Sequence, residues 1–342
     1  MKKLLSLLVV VSAVAFAAAG AESLLTLLPD ASCGVLAVDA AALWNHPQCA
    51  ESLQKPEVAG ELKGYEKMLG CKITDIDEVL IFVDRDPVES NYVGALIRSR
   101  AASKLFAAAA KSDTIDTINR KAGKDGKENA LSSRVETIGG RKAVFFSDSA
   151  KPSADDVGLI EMTPEVLLVA RRDILPKMLE APKMSPAAVK RLLSARIRGK
   201  YPVWSAWVDP QGKTVEPPSD PNAPKIEDKI IGGAFSFGFE GKDQLNYKFV
   251  AAVRCNTRNY ASMLGMMIPG YAQMGVAMAF QKDPELGQEI LQNFRCSVKD
   301  FNVRVSLVLP QALWKKLEAY LMTEGKQIAV PADPVPADVK AK

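Results

Sequence analysis

Residues 234–255 read AFSFGFEGKDQLNYKFVAAVRC. Residues 234–240 and 245–255 carry the aromatic and β-branched content of strands, and Gly241-Lys242-Asp243 supplies the turn between them. Helical segments over 258–280 and 284–293 come next. A hairpin of 296–299 with 303–309 and a closing helix over 311–321 complete this half.

The preceding half has the same order of elements. A buried strand at 34–38 leads to Asp39, placed to cap a helix through Leu43 and Trp44, and a second helix runs from Pro56 to Gly70. Strands at 79–84 and 92–98 precede an alanine-rich helix at 101–111. The pair 134–138 and 142–147 flanks Gly139-Gly140, which supplies the positive φ of a tight turn. A further hairpin, 157–162 with 166–170, is followed by two helices, the second capped by Ser185-Pro186 and stopped at Gly199. Both halves read β-β-α-β-β-α. The expectation is an α+β fold with pseudo-repeated halves at 22–200 and 201–325, and mostly antiparallel strands with helices on one face. A proline-rich loop at 212–228 lies early in the second half, and 326–342 reads as a solvated tail.

The first residues carry a different signal. Met1-Lys2-Lys3 is a short cationic start, residues 4–19 are uncharged and rich in Leu, Val and Ala, and Ala19-Gly20-Ala21 precedes Glu22. This is the pattern of a cleavable bacterial secretory signal, with the cut expected between Ala21 and Glu22. The apolar run falls short of the ~20 residues of a membrane span. No cysteine follows it directly, so lipid anchoring is not expected, and the mature chain is placed in the periplasm or outside the cell without an integral span.

Lys plus Arg total 44 and Asp plus Glu 40. That balance lacks the dominant basic face of a nucleic-acid binder, so no nucleic-acid partner is expected. Five cysteines in an exported chain invite disulfides. Cys255 and Cys296 bracket a helical segment and form the first candidate pair, Cys49 and Cys71 the second. No CxxC suggests a zinc or redox site.

The chemistry-bearing patterns are sparse. His46 is the single histidine, at an expected helix end, and no GxSxG elbow accompanies it. Ser52-Leu53-Gln54-Lys55 matches SxxK, but Pro56 directly after it disfavours a continuous helix. Asp75, Asp77, Glu78, Asp84 and Asp86 offer oxygen ligands without the spacing of a calcium loop. No phosphate-cradling glycine loop occurs, so no cofactor is expected. Lys190, Arg191, Arg196, Arg198 and Lys200 make a basic helix end, favoured by the helix dipole and fit to dock an anionic envelope polymer or lipid head group.

Residues 259–281 carry no charge and include Met263, Met266, Met267, Met274 and Met278. The first expectation is a buried helix bent at Pro269, its methionines filling an irregular core. The second is a groove of Met263, Met267, Tyr271, Met274 and Met278 for a hydrophobic ligand or partner.

Leu28-Pro29-Asp30-Ala31 leading into 34–38, Ile76-Asp77-Glu78-Val79, and the 294–309 hairpin after a long helix resemble a loose group of exported α+β proteins of unknown function from planctomycete and verrucomicrobial bacteria. The resemblance implies location and fold style only. Together these readings favour a non-enzymatic envelope protein that binds or scaffolds a partner protein or polymer. A carrier of a hydrophobic ligand and a carboxylate-based hydrolase are the alternatives.

Overall fold

The computed structural model describes residues 21–69, 71–83, 93–111, 132–147, 152–199, 201–209, 211–215, 227–240 and 245–327. The expected signal up to residue 20, most of the tail, the middle of the proline-rich loop, the Gly241-Lys242-Asp243 turn, Asp84, Asp86 and Lys200 lie outside them.

The chain begins with α1 (Ala21–Leu25), β1 (Gly34–Val38), α2 (Ala40–Trp44), α3 (Pro47–Gln54) and α4 (Pro56–Leu69). β2 (Ile76–Val83), β3 (Val93–Ser99), α5 (Ala102–Ala109), β4 (Ser132–Ile138), β5 (Arg141–Ser147), β6 (Val157–Thr163), β7 (Val166–Arg171), α6 (Leu175–Glu180) and α7 (Pro186–Ala195) follow. The rest is β8 (Val203–Val208), β9 (Ile230–Glu240), β10 (Asn246–Cys255), α8 (Arg258–Ala279), α9 (Pro284–Gln292), β11 (Phe294–Lys299), β12 (Asn302–Pro310) and α10 (Gln311–Gln327).

Local chemistry explains many of these boundaries. Asp39 Oδ1 accepts from Ala42 N–H at 2.8 Å at the start of α2, and Ser185 Oγ accepts from Ala188 N–H at 3.3 Å at the start of α7. Gly139 and Gly140 turn the β4–β5 hairpin at φ 55° and 75°, the left-handed region that glycine enters at no steric cost.

The strands form one twelve-stranded sheet in the order β11-β12-β10-β9-β8-β1-β2-β3-β7-β6-β5-β4. Every neighbouring pair is antiparallel. β1 and β8 pair at the junction of the halves, Gly34 opposite Trp207 and Val38 opposite Val203. The protein is therefore α+β, with a sheet continuous across residue 200.

Helices cover both faces of this sheet, which corrects the expected one-faced packing. Leu80, Phe82, Leu96 and Leu168 point into the largest core beneath α1, α6 and α7. Their neighbours Ile97 and Leu167 point the other way, into a cluster with Leu105 of α5. Strands this apolar on successive residues must be shielded on both sides. Towards the β11 edge, Phe237, Tyr247, Leu309 and Leu313 pack with Leu286 and Ile290 under α9 and α10.

Candidate functional site

The Oγ1 of Thr257 accepts from Tyr260 N–H at 3.1 Å and so starts α8, which runs through Pro269 to Ala279. Proline has no N–H, so the carbonyl of Gly265, one turn earlier, has no helical donor. Cys296 of β11 fills the gap, its Sγ donating to that carbonyl at 3.8 Å. Gly265 is what permits the approach: a Cβ there would lie 2.1 Å from Val298 Cγ2.

The inner side of α8 is ordinary core. Ala261, Leu264 and Ile268 pack with Val253, Cys255 and Val303, and Val276 meets Gly287 of α9. The outer side is the unusual one. Met263, Met266, Met267, Tyr271, Met274 and Met278 are all exposed, Met266 to 75% and Met278 to 66%. Steps of three and four residues place them on one side of the helix. Taking roughly 200 Å² for a fully exposed side chain of this size, they present about 650 Å² of largely apolar surface. The largest such patch on an ordinary monomer is about 300–600 Å².

A buried, core-filling helix was the first expectation, and it is overturned: Ala261 is the only buried residue of α8. The sequence misled because an exposed helix normally declares itself by charge on its outer side. Residues 259–281 have none, so exposure and burial predict the same composition. The five expected groove residues do lie together, on an outward ridge. Met266, the most exposed of all, was missed although it follows Met263 by three. A shallow cleft of about 350 Å³ lies towards the other edge of the sheet, between Phe106, Arg141, Glu161 and Pro164.

Comparison with protein-family models, curated proteins and solved structures finds no match.

The other candidates take structural places. His46 stacks on Phe239, centroids 3.8 Å apart, and burial lowers its pKa. Lys55 pairs with Glu318 of α10 at 3.3 Å. Asp77 pairs with Arg100 at 3.0 Å, and Asp75 accepts from Lys72 N–H at 3.2 Å. Among the described residues no three His, Cys, Asp or Glu side chains converge as a metal site would require. Arg196 lies over the Trp204 ring at 5.1 Å.

No disulfide is formed among the described residues, which include all five cysteines. Cys296 stands opposite Val305, and Val305 opposite Ala251. Cys296 is thus two strands across and four residues along from Cys255, about 16 Å between Cα atoms, against a disulfide reach of ~7 Å. Cys71 packs beside Leu105 and Leu167, whereas Cys49 neighbours Tyr247 in the other half.

Proposed function

We propose that the protein is a non-enzymatic scaffold of the bacterial cell envelope that works by docking a partner onto the outer side of α8, and that this partner is a second copy of the chain. The observation that carries the reading is the uncharged ridge from Met263 to Met278, exposed along the helix. An uncharged ridge offers a foreign partner no charge pattern to match, whereas two copies related by a two-fold axis present identical, self-complementary surfaces. Its ~650 Å² per copy approaches the ~800 Å² per partner of a stable interface. Methionine side chains adapt to each other, and Gly270 and Gly275 have open space where a side chain would stand.

The cationic start, apolar run and Ala21-Glu22 junction support export. Residues from Leu24 onward belong to the folded chain: Leu24, Leu25 and Leu28 are fully buried. The likeness to exported planctomycete and verrucomicrobial proteins supports the same location. We also read the halves as a pseudo-repeat, each with one strand before the expected order. From the centre outward, β1-β2-β3-β7-β6 matches β8-β9-β10-β12-β11, with β5 and β4 added at one edge. In that correspondence α8 occupies the place of α5 but has 22 residues against eight. The extra turns carry the ridge from Met266 onward.

Sedimentation equilibrium tests the assembly. The expected result is a dimer that becomes monomeric when Met266→Lys and Met274→Lys are combined, with the far-ultraviolet circular dichroism spectrum unchanged because both side chains lie on the surface of the single chain. A wild type that stays monomeric at the highest concentration reached, or a variant that still dimerises, overturns it. A lipid-sized molecule held by the native protein in mass spectrometry, and lost from the variant, would transfer the ridge to the carrier reading.

A further inference from the structure

We infer that the open sheet face of β10, β12 and β11, on the side away from α8, docks a linear anionic polysaccharide. The inference is independent of the α8 ridge, since it uses the opposite side of the same strands. Val253, Cys255, Cys296 and Val303 face α8, so the residues alternating with them face outward. These are Arg254, Arg295, Lys299 and Arg304, all exposed.

The register gathers them. Arg254 stands opposite Asn302, Arg304 opposite Ala252 and Ser297, Arg295 opposite Ser306, and Lys299 opposite Asn302. Arg304 is therefore central, with the Cα atoms of Arg254, Arg295 and Lys299 each one strand across and two residues along, about 8 Å away. That is inside the ~10 Å screening length of 0.1 M salt, so their potentials add. Arg295 Nη1 also donates to the Gln292 and Phe294 carbonyls at 2.6 and 2.8 Å. On the described residues of β9, β10, β11 and β12 the carboxylate of this face is Glu240, held by Lys248 at 2.9 Å, and Asp300 stands in the β11–β12 turn. None of Arg254, Lys299 and Arg304 is paired with a carboxylate among the described residues. With 44 cationic and 40 anionic side chains in the chain, this face is a local excess and does not follow from overall charge.

The basic helix end joins it. Ile197 packs on Ala234 and Val250 of the same face, and its neighbours Arg196 and Arg198 extend the cationic border beyond β9. Between the cations stand Ala252, Ser297, Asn302 and Ser306. The aromatic ring packed beside Ala252 on this face, Tyr201, is half-buried against Ile197 and Gly238, so it does not offer the open stacking platform that single-stranded nucleic acid requires. No large apolar side chain projects between the cations to enter a lipid surface. A flat, small-residue floor with spaced cations fits a flexible chain of repeated anions.

Fluorescence anisotropy with a labelled heparin dodecasaccharide tests this, at low and at physiological salt. The wild type should bind, and physiological salt should weaken binding. Combining Arg254→Gln with Arg304→Gln should weaken it about tenfold, on the order expected for two lost ionic contacts. Lys315→Gln with Lys316→Gln, on α10 across the sheet, should leave it within about twofold. Lys299→Gln alone, at the end of an edge strand, gives a smaller loss of the same sign and covers the case of a poorly folded double variant. No wild-type binding at low salt overturns the inference. So does equal loss in the two double variants, or tighter binding of phosphatidylglycerol vesicles or duplex DNA than of the oligosaccharide.

Discussion

Glu78 shows how one side chain can set a pH response. It stands directly opposite Arg98 in the β2–β3 register, with Arg98 Nη1 2.9 Å from its Oε2, and Arg98 also donates to Ser23 of α1. Burial raises the Glu78 carboxyl to about 7 against the opposing pull of Arg98, with Asp39 and Asp77 adding to the rise. As pH climbs from 4.5 towards about 7, the unfolded chain releases this proton while the folded chain keeps it. Stability therefore falls across that window, by on the order of 3 kcal/mol, and is level above it. His46 works in the opposite sense, its lowered pKa removing stability as pH falls below 6.5, so the two must be separated by substitution. Glu78→Gln should melt higher than the wild type by a margin that grows as pH rises and then levels off; a margin constant with pH would refute this. Cys296 has an equally local role. Cys296→Ala should cost about 1 kcal/mol in denaturant unfolding because the Gly265 carbonyl then has no donor, and Cys296→Ser should recover most of it.

At the scale of elements, one close contact between backbone and strand sets how near α8 comes to β11. Gly265→Ala would drive a Cβ into Val298 Cγ2 and part α8 from β11, a loss of about 1–3 kcal/mol or more. Gly270→Ala, on the same helix where the space is open, should instead gain about 0.5–1 kcal/mol from helix propensity. Opposite signs in urea titrations are the expected result, and equal effects would show that Gly265 does not set the approach. Most of the elements were legible, because Asp39, Ser185, Pro284 and Gly139-Gly140 act on the backbone within a few residues of themselves. What hid was set by distant partners. The helices over Ile97 and Leu167 could not be read from those strands, because an apolar run is silent about whether one face is covered or two. Arg254 of β10 and Arg304 of β12 are 50 residues apart in the chain, and only the register brings them side by side.

For the molecule as a whole, the decisive join is β1 with β8. Trp204 and Ala206 of β8 sit in the same core as Leu24, Phe82 and Phe145, so residues beyond 200 complete the interior of the first half. β1 pairs with β2 on one side and β8 on the other, and without β8 it would become an open edge of Val35, Leu36 and Ala37. The same sheet also holds the two proposed surfaces back to back, the α8 ridge on one side of β10–β12–β11 and the cationic floor on the other. The β1–β8 join ties the half that carries those surfaces to the rest of the sheet. The full chain should accordingly unfold in one step, with calorimetric and van't Hoff enthalpies equal. A fragment of residues 22–200, lacking Trp204 and the partner of β1, should show no cooperative transition of its own. Two resolved transitions in the full chain, or a fragment that melts sharply alone, would mean that the halves are separate units and that the β1–β8 pair is only a seam.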